Sequence, residues 1–526
     1  MPAVPPLSSV SRRAVPALLA LLFALTALVA AGCGSGASGG NEKANPAEVA
    51  PKNSLVWITA QIRPEGSQKA AVDAIAKKVL GTGDPGKRIE EILNRQASSS
   101  KSKLSYADDV KPWLGRRAGV AVISLGATGS SSQAALIVAS KDNGKAQSAI
   151  DKLADSASTK PAKKDYQGVG YWFSARKGTA VGLVKDFVVA GSEAGFKAVV
   201  DASKGDGLTK NATYQSASRG SDGKLGFGFV DTQALVSALG AQGRIPGGGA
   251  GLQSLFGGAN RPITATLSAT PQNVVLEAIS GITSQARQTK PNSLVPELPG
   301  DSWAAVGLPN LGAILKQTLT QLGSGVGAGI LTSVQQQIRA RTGLDLNRDI
   351  LPSLGEMAVF ARGDSILTVG GGVVIQTPDP AAARRVVDKL GPLLRRQAKG
   401  SVKVATANVA AGSGFKVTTP KIPGGINVVL KGDRLVIAYT DGATREALAP
   451  KSKLGNSPEF QQASASLGGG QPALYVAFAP IAQLAAAAKP QKAAQIRQYL
   501  GAFASLVAGS RVQGNSQVGR FVLNLK

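Results

Sequence analysis

Two aspartates stand inside a pattern that occurs twice. Asp109 lies in Leu104-Ser-Tyr-Ala-Asp-Asp109-Val-Lys-Pro112-Trp-Leu114-Gly115 and Asp349 in Leu344-Asp-Leu-Asn-Arg-Asp349-Ile-Leu-Pro352-Ser-Leu354-Gly355, with every match 240 positions apart. A recurring carboxylate is a candidate for paired acid–base work or for holding a metal. The neighbours argue for architecture instead: an Asp side chain caps free N–H groups, Pro fixes φ, and Gly permits a tight bend. Asp109, Pro112, Gly115, Asp349, Pro352 and Gly355 are therefore read as a structural helix-to-strand turn. Asp108 and Asp345 fall at non-equivalent places in the two copies, which argues against a shared metal site. No catalytic residue, metal ligand or cofactor is assigned.

Other chemistries lack their partners. The chain has no histidine, which removes the commonest general base, the commonest zinc ligand and every Ser-His or Cys-His pair. Gly36-Ala-Ser38-Gly-Gly40 has the letters of a nucleophile elbow but follows no strand. Ser98 and Lys101 share the Ser-x-x-Lys spacing of penicillin-recognising enzymes without a downstream Lys-Thr-Gly. The run Gly323-Ser-Gly325-Val-Gly327-Ala-Gly329 has no Lys-Ser/Thr to make it a phosphate loop, and Pro246 to Gly251 is read as a loop. Leu311, Ile314, Leu315, Leu319, Leu322, Val326, Ile330, Val334 and Ile338 instead mark an amphipathic helix or a broken pair, packed in the core or lining a lipid cavity. Trp57, Trp113, Trp172 and Trp303 are read as core anchors.

The elements that must carry these residues also come in two sets. Ala135–Val138 and Ile150–Leu153 are echoed by Gly372–Ile375 and Val387–Leu390 at an offset of 237. Phe187–Ala190 matches Leu435–Ala438 at 248, and Tyr214-Gln215 matches Phe460-Gln461 at 246. Colinear matches at nearly constant spacing indicate two homologous halves, 51–282 and 296–526, joined by a polar linker over 283–295. Within a half, a strand from Leu55 leads to the aspartate turn and then to Val120–Ile123 or Met357–Phe360. Helices are expected to start at Asp142 or Asp379 and at Ser192 or Thr440, where the side chain caps the first turn. Hairpin strands span Val181–Ala190 or Ile426–Ala438, with Gly432-Asp433 as the turn. Phe227–Phe229 or Tyr475–Phe478 comes next with more helix, and each half closes on a strand pair, Ile263–Ile279 or Arg511–Leu525. The expected class is α+β: two tandem halves, each a largely antiparallel sheet with packed helices, after a lipoprotein signal peptide.

The address comes from the first fifty residues. Arg12 and Arg13 precede an uncharged apolar run from Ala14 to Ala31, the layout of an export signal. It ends Val29-Ala30-Ala31-Gly32-Cys33, which resembles a bacterial lipobox cleaved between Gly32 and Cys33. Cys33, the one cysteine of the chain, is the expected site of diacylglycerol attachment. Residues 1–32 are thus the signal and 33–50 a flexible tether rich in Gly, Ser and Pro.

The 526 residues, 43% hydrophobic and 17% charged, are ample for two buried cores. The formal charge of +27 becomes +25 when Arg12 and Arg13 leave. Outside a membrane such a surface is drawn to anionic wall polymers and phospholipid head groups. An export signal and dispersed Lys and Arg speak against nucleic acid.

The doubled Leu-x-x-x-x-Asp-hydrophobic-x-Pro-x-Leu-Gly segment resembles the bacterial domain-of-unknown-function 3352 family, most specifically at Asp109–Gly115 and Asp349–Gly355. The resemblance implies a duplicated extracytoplasmic protein and no assigned activity. The leading expectation is a non-enzymatic lipoprotein on the outer face of the cytoplasmic membrane. A carrier of lipid or another apolar ligand and a histidine-free hydrolase are the alternatives.

Overall fold

A computed structural model describes residues 39–81, 87, 90–91, 105–126, 132–241, 261–282, 292–323, 328–365 and 367–526. The signal, Gly32 and Cys33 lie outside the described residues, as do Ser98, Lys101, 246–251 and 283–291. The chain divides into two compact units, Met1–Thr283 and Ser284–Lys526. The class is α+β with extensive antiparallel sheet.

The first unit has strands β1 (Val56–Gln61), β2 (Leu114–Ser124), β3 (Gln133–Ser140), β4 (Ala162–Tyr166), β5 (Val169–Ser174), β6 (Thr179–Val184), β7 (Phe187–Ser192), β8 (Gly226–Val230), β9 (Ile263–Thr270) and β10 (Asn273–Gly281). Their order is β4-β5-β6-β7-β3-β2-β1-β8-β9-β10, every pair antiparallel. Helices α1 (Gly66–Leu80), α2 (Asn143–Asp155), α3 (Glu193–Ala202), α4 (Ala212–Ala217) and α5 (Thr232–Ala241) fill the connections.

The second unit has β11 (Ser302–Leu308), β12 (Glu356–Arg362), β13 (Gly370–Gln376), β14 (Lys403–Val409), β15 (Gly412–Thr419), β16 (Ile422–Lys431), β17 (Arg434–Tyr439), β18 (Gln471–Ala477), β19 (Phe503–Gln513) and β20 (Ser516–Leu525). Their order, β14-β15-β16-β17-β13-β12-β11-β18-β19-β20, is that of the first unit, strand for strand. Its helices include α6 (Leu311–Gly323), α7 (Ala328–Thr342), α8 (Pro380–Gln397), α9 (Asp441–Leu448), α10 (Pro458–Ala465), α11 (Phe478–Ala488) and α12 (Ala493–Gly501).

Alternation along the strands divides each core. On β7, Phe187 and Val189 join Trp57, Phe196 and Phe229 in one buried cluster, whereas Val188 joins Trp113, Leu114 and Ile150 in another. Successive side chains point to opposite faces, so α3 covers one face of the first sheet and α2 the other. In the second unit α8 buries Ala383 and Val387 against Ile375, Phe415 and Leu435. The expected caps are in place: Asp142 accepts from Lys145 N–H, Asp379 from Ala382, Ser192 from Gly195 and Thr440 from Ala443.

Several expectations change. The segment read as a tether is packed from Gly39 onward. Ala47, Val49 and Ala50 are buried in the first core, Asn45 caps a short turn at Pro46–Glu48, and Glu42 pairs with Arg116 and Arg63. Small apolar residues scattered among polar ones proved enough to dock it. The linker likewise ends early: Leu294 and Val295 are buried, and Asn292 Nδ2 donates to Leu308 O and Met357 O. The closing pair of the second unit starts at Phe503, not Arg511, and each hairpin is part of a four-stranded meander, β4–β7 or β14–β17.

The apolar run near Leu311 is a broken pair, α6 and α7, with 324–327 outside the described residues; Ile314, Leu315 and Val334 are exposed rather than core. Trp57 and Trp113 are buried anchors, but Trp172 and Trp303 are half-buried. Among the described residues no helix is long and apolar enough to cross a membrane.

Candidate functional site

Both copies of the aspartate pattern form one wide turn, Tyr106–Val110 and Leu346–Ile350, in which Lys111 N–H reaches Tyr106 O and Leu351 N–H reaches Leu346 O. Such i to i−5 turns are rare. The aspartate closes the turn from inside. Asp109 Oδ2 accepts Ser105 N–H at 2.7 Å, and Asp349 Oδ2 accepts Asp345 N–H at 2.9 Å. Each carboxylate then meets a cation from the following helix: Lys152 of α2 lies 2.6 Å from Asp109, and Arg385 Nε of α8 lies 2.8 Å from Asp349. Arg348 adds a third donor to Asp349 at 3.2 Å. Trp113 Nε1 donates to the Asp109 carbonyl at 2.7 Å, pinning the indole to the turn.

Pro112 and Pro352 fall just after the turn, where Pro352 sits in a short 3-10 segment, Leu351–Ser353. Gly115 and Gly355 have no positive φ, contrary to the tight-bend expectation. Their absent side chain admits the neighbouring strand: a Cβ would lie 2.6 Å from Ala139 O at Gly115 and 1.9 Å from Gln376 O at Gly355.

These donors fix the charge state. The Lys152 hydrogen bond, then that of Ser105, holds Asp109 below the ordinary carboxylate range. Arg348, then Asp345 N–H and Arg385, hold fully buried Asp349 far below it. A general acid or base works best with a pKa near the working pH, and both carboxylates are held below that range.

A second carboxylate pair opens the helices on the other face. Glu193, first residue of α3, accepts Tyr171 O–H at 2.7 Å and Lys164 at 3.0 Å. Tyr171's hydrogen bond, then Lys164's, brings Glu193 down to about 2; burial, then Glu193, pushes Tyr171 up to about 12. Asp441, first residue of α9, accepts Lys416 at 2.8 Å and Asn427 at 2.9 Å.

What the sequence did not reveal is a cleft of about 330 Å³ in the first unit, where β1, β2 and β8 meet α4 and the 218–225 loop. Thr59, Gln61, Arg117, Tyr214, Arg219 and Lys224 line it, together with one carboxylate, Asp222. Among the described residues, Arg117, Arg219 and Lys224 have no ion-pair partner. Tyr214, at the floor, packs edge-on against Phe227 and Phe229 at 6.1 and 5.5 Å, and burial raises its hydroxyl pKa. Arg117 and Lys224 are more than a hundred positions apart; only the pairing of β1 with both β2 and β8 unites them. Among the described residues no three acidic or cysteine side chains converge as a metal cage.

Compared with known families, residues 14–411 match the one described as "Protein of unknown function (DUF3352)", and the chain belongs to that family. This bears out the resemblance carried by the two aspartate segments. No curated protein matches the chain. Among solved structures, crystal form III of TP0453 is similar at TM-score 0.26 and 11% identity, covering 48% of this chain and 84% of that one. Crystal form IV gives 0.25 and 12%, covering 45% and 80%. Likenesses this weak carry no argument about fold or function.

Proposed function

We propose that the protein is a non-enzymatic lipoprotein, anchored by diacylglycerol on Cys33 to the outer face of a bacterial cytoplasmic membrane, whose basic body binds anionic wall polymers or phospholipid head groups. The observation that carries this reading is an imbalance in how charge is used. Asp109, Glu193, Asp349 and Asp441 are each engaged by cations of their own unit, while Arg117, Arg219 and Lys224 remain unpaired among the described residues in a chain of net charge +27. The carboxylates serve the fold, and the surplus cations are available to a partner. A hydrolase without histidine would need a carboxylate raised or a lysine lowered toward neutrality; Asp109, Glu193, Asp349, Asp441 and Glu459 are all shifted down, and only Lys141, lowered by burial and then by Arg63, moves in the required direction among the described carboxylates and lysines.

The two units are, in this reading, homologous halves produced by duplication. Supporting it are the identical strand order and the repeat offsets of 237 to 248 between matched segments. A carrier of apolar cargo is the second reading, favoured by Ile314, Leu315 and Val334, which are 46%, 37% and 43% exposed on α6 and α7. Native mass spectrometry with organic extraction, on protein from its own envelope, separates the two: a stoichiometric lipid selects the carrier.

The binding reading is tested with the purified full chain in neutral detergent, mixed with isolated bacterial walls or with micelles doped with phosphatidylglycerol. Binding is expected to fall steeply between about 0.05 and about 0.5 M salt, as counterions shorten the reach of surface charge. Binding indifferent to salt would remove the electrostatic basis of the proposal.

A further inference from the structure

We infer that the cleft between β2, β8 and α4 is a specific site for a phosphate group carried on a small polar body. The site deepens the anion-binding reading and rests on it only for the source of the ligand. Three cations line the cleft with one carboxylate, so its own side chains leave an uncompensated positive charge in a concave site, where field lines concentrate. A phosphate group answers that charge, in full as a monoester dianion and in part as a phosphodiester monoanion, and an arginine fork suits its oxygens. Gln61 adds a neutral polar side chain to the lining, while the Thr59 hydroxyl donates to Ala118 O at 3.0 Å. At about 330 Å³ the space is at the small end of ligand pockets, which run from about 300 to about 1,000 Å³. That suits a phosphate with a short polyol rather than a whole lipid.

The second unit shows that the fold does not require these charges. The spacing of 246 that relates Tyr214 to Phe460 and Phe229 to Tyr475 carries Arg219 to Ala465 and Lys224 to Gly470. Strand registers give the third correspondence. Trp57 pairs with both Ala121 and Phe229, and Ala305 with both Phe360 and Tyr475, which aligns Ala118 with Met357 and, with Gly115 matching Gly355, sets Arg116 and Arg117 against the single residue Glu356. Glu356 is engaged by Ser293 N–H and Oγ at 2.9 and 2.8 Å. The same strand order thus stands with one cation reversed, two absent and the tyrosine hydroxyl lost. Charges that architecture does not demand, gathered from three segments into one cleft, point to a ligand.

The test is calorimetric titration of the full chain in neutral detergent with two probes, glycerol phosphate and phosphatidylglycerol-doped micelles. The expected result is saturable binding of at least one probe at one per chain, weakened about tenfold or more by Arg117→Gln/Arg219→Gln/Lys224→Gln. A control with equal charge removed at exposed sites, Lys399→Gln/Lys421→Gln/Lys451→Gln, should retain it. Exposed Arg219→Gln alone gives a milder loss and guards against a triple variant that fails to fold. If only glycerol phosphate responds to the cleft variants, the source is a soluble phosphate ester. If micelle binding responds and glycerol phosphate competes with it, the source is a lipid head group. Equal losses in the cleft and control variants would overturn the site while leaving general anion binding intact. No saturable binding of either probe would also overturn it, whatever the isolated walls do.

Discussion

Asp349 and Glu193 face donors from their own unit, and that ties stability to acid. A carboxylate whose folded pKa is depressed contributes stability above its unfolded pKa, and that contribution is lost as pH falls toward the folded value. For Glu193 the loss runs from about 4.5 down to about 2, and Asp349 extends it further into acid. Tyr171 acts in the opposite sense: its raised pKa protects the fold below about 10, and the contribution disappears as pH climbs to about 12. Removing the hydroxyl donor in Tyr171→Phe should therefore bring the Glu193 carboxyl back up toward its ordinary value, as read by carboxyl-carbon NMR titration; an unmoved titration would discard this cause. Asp349→Ala orphans a half-buried N–H and two guanidinium contacts, and should lower unfolding free energy by about 2–3 kcal/mol in denaturant titrations. Asp109→Ala should cost about 1–2 kcal/mol, because its carboxylate retains some exposure.

The wide turns act by steering strands, and their glycines set how closely the strands pass. Gly355→Ala drives a methyl group into Gln376 O and should destabilise the second unit by about 2–3 kcal/mol. Gly115→Ala meets Ala139 O less closely, and its effect should be the smaller of the two in thermal melts. The caps at Asp142, Asp379, Ser192 and Thr440 were legible because a capping side chain and the helix it starts are local. Strands β4 and β14 were not: Ala162-Lys-Lys-Asp-Tyr166 is almost wholly exposed and has no apolar alternation, and Lys403–Val409 alternates only at its end. Charged edges of this kind keep a sheet from adding strands, and they conceal it from hydrophobic pattern. Glu42 to Ala50 was misread for the converse reason, since its buried residues are too small and scattered to show a period. The cleft was invisible because its cations reach one another only through strand pairing.

At the scale of the whole molecule, charge and anchor make separable predictions. Cys33→Ser should abolish acylation, read as loss of the diacylglycerol from the intact mass, and leave the apolar run from Ala14 to Ala31 uncleaved, because lipobox cleavage follows acylation. A Cys33→Ser chain that still carries diacylglycerol would show that the lipid is attached elsewhere.

The place of β1 has a kinetic consequence. Val56 pairs on one side with Val122 and on the other with Val230, partners 66 and 174 residues further along. The middle of the first sheet therefore cannot close until four-fifths of that unit has emerged from the ribosome or the export channel. Two long loops must be closed before their contacts repay the lost entropy, which places folding among slow, non-local topologies, on the order of milliseconds to seconds. Until β8 arrives, Trp57 and its strand have an open edge. Chains interrupted before Gly226 should consequently aggregate, while an interruption in the segment between the units should leave the first unit able to complete its sheet.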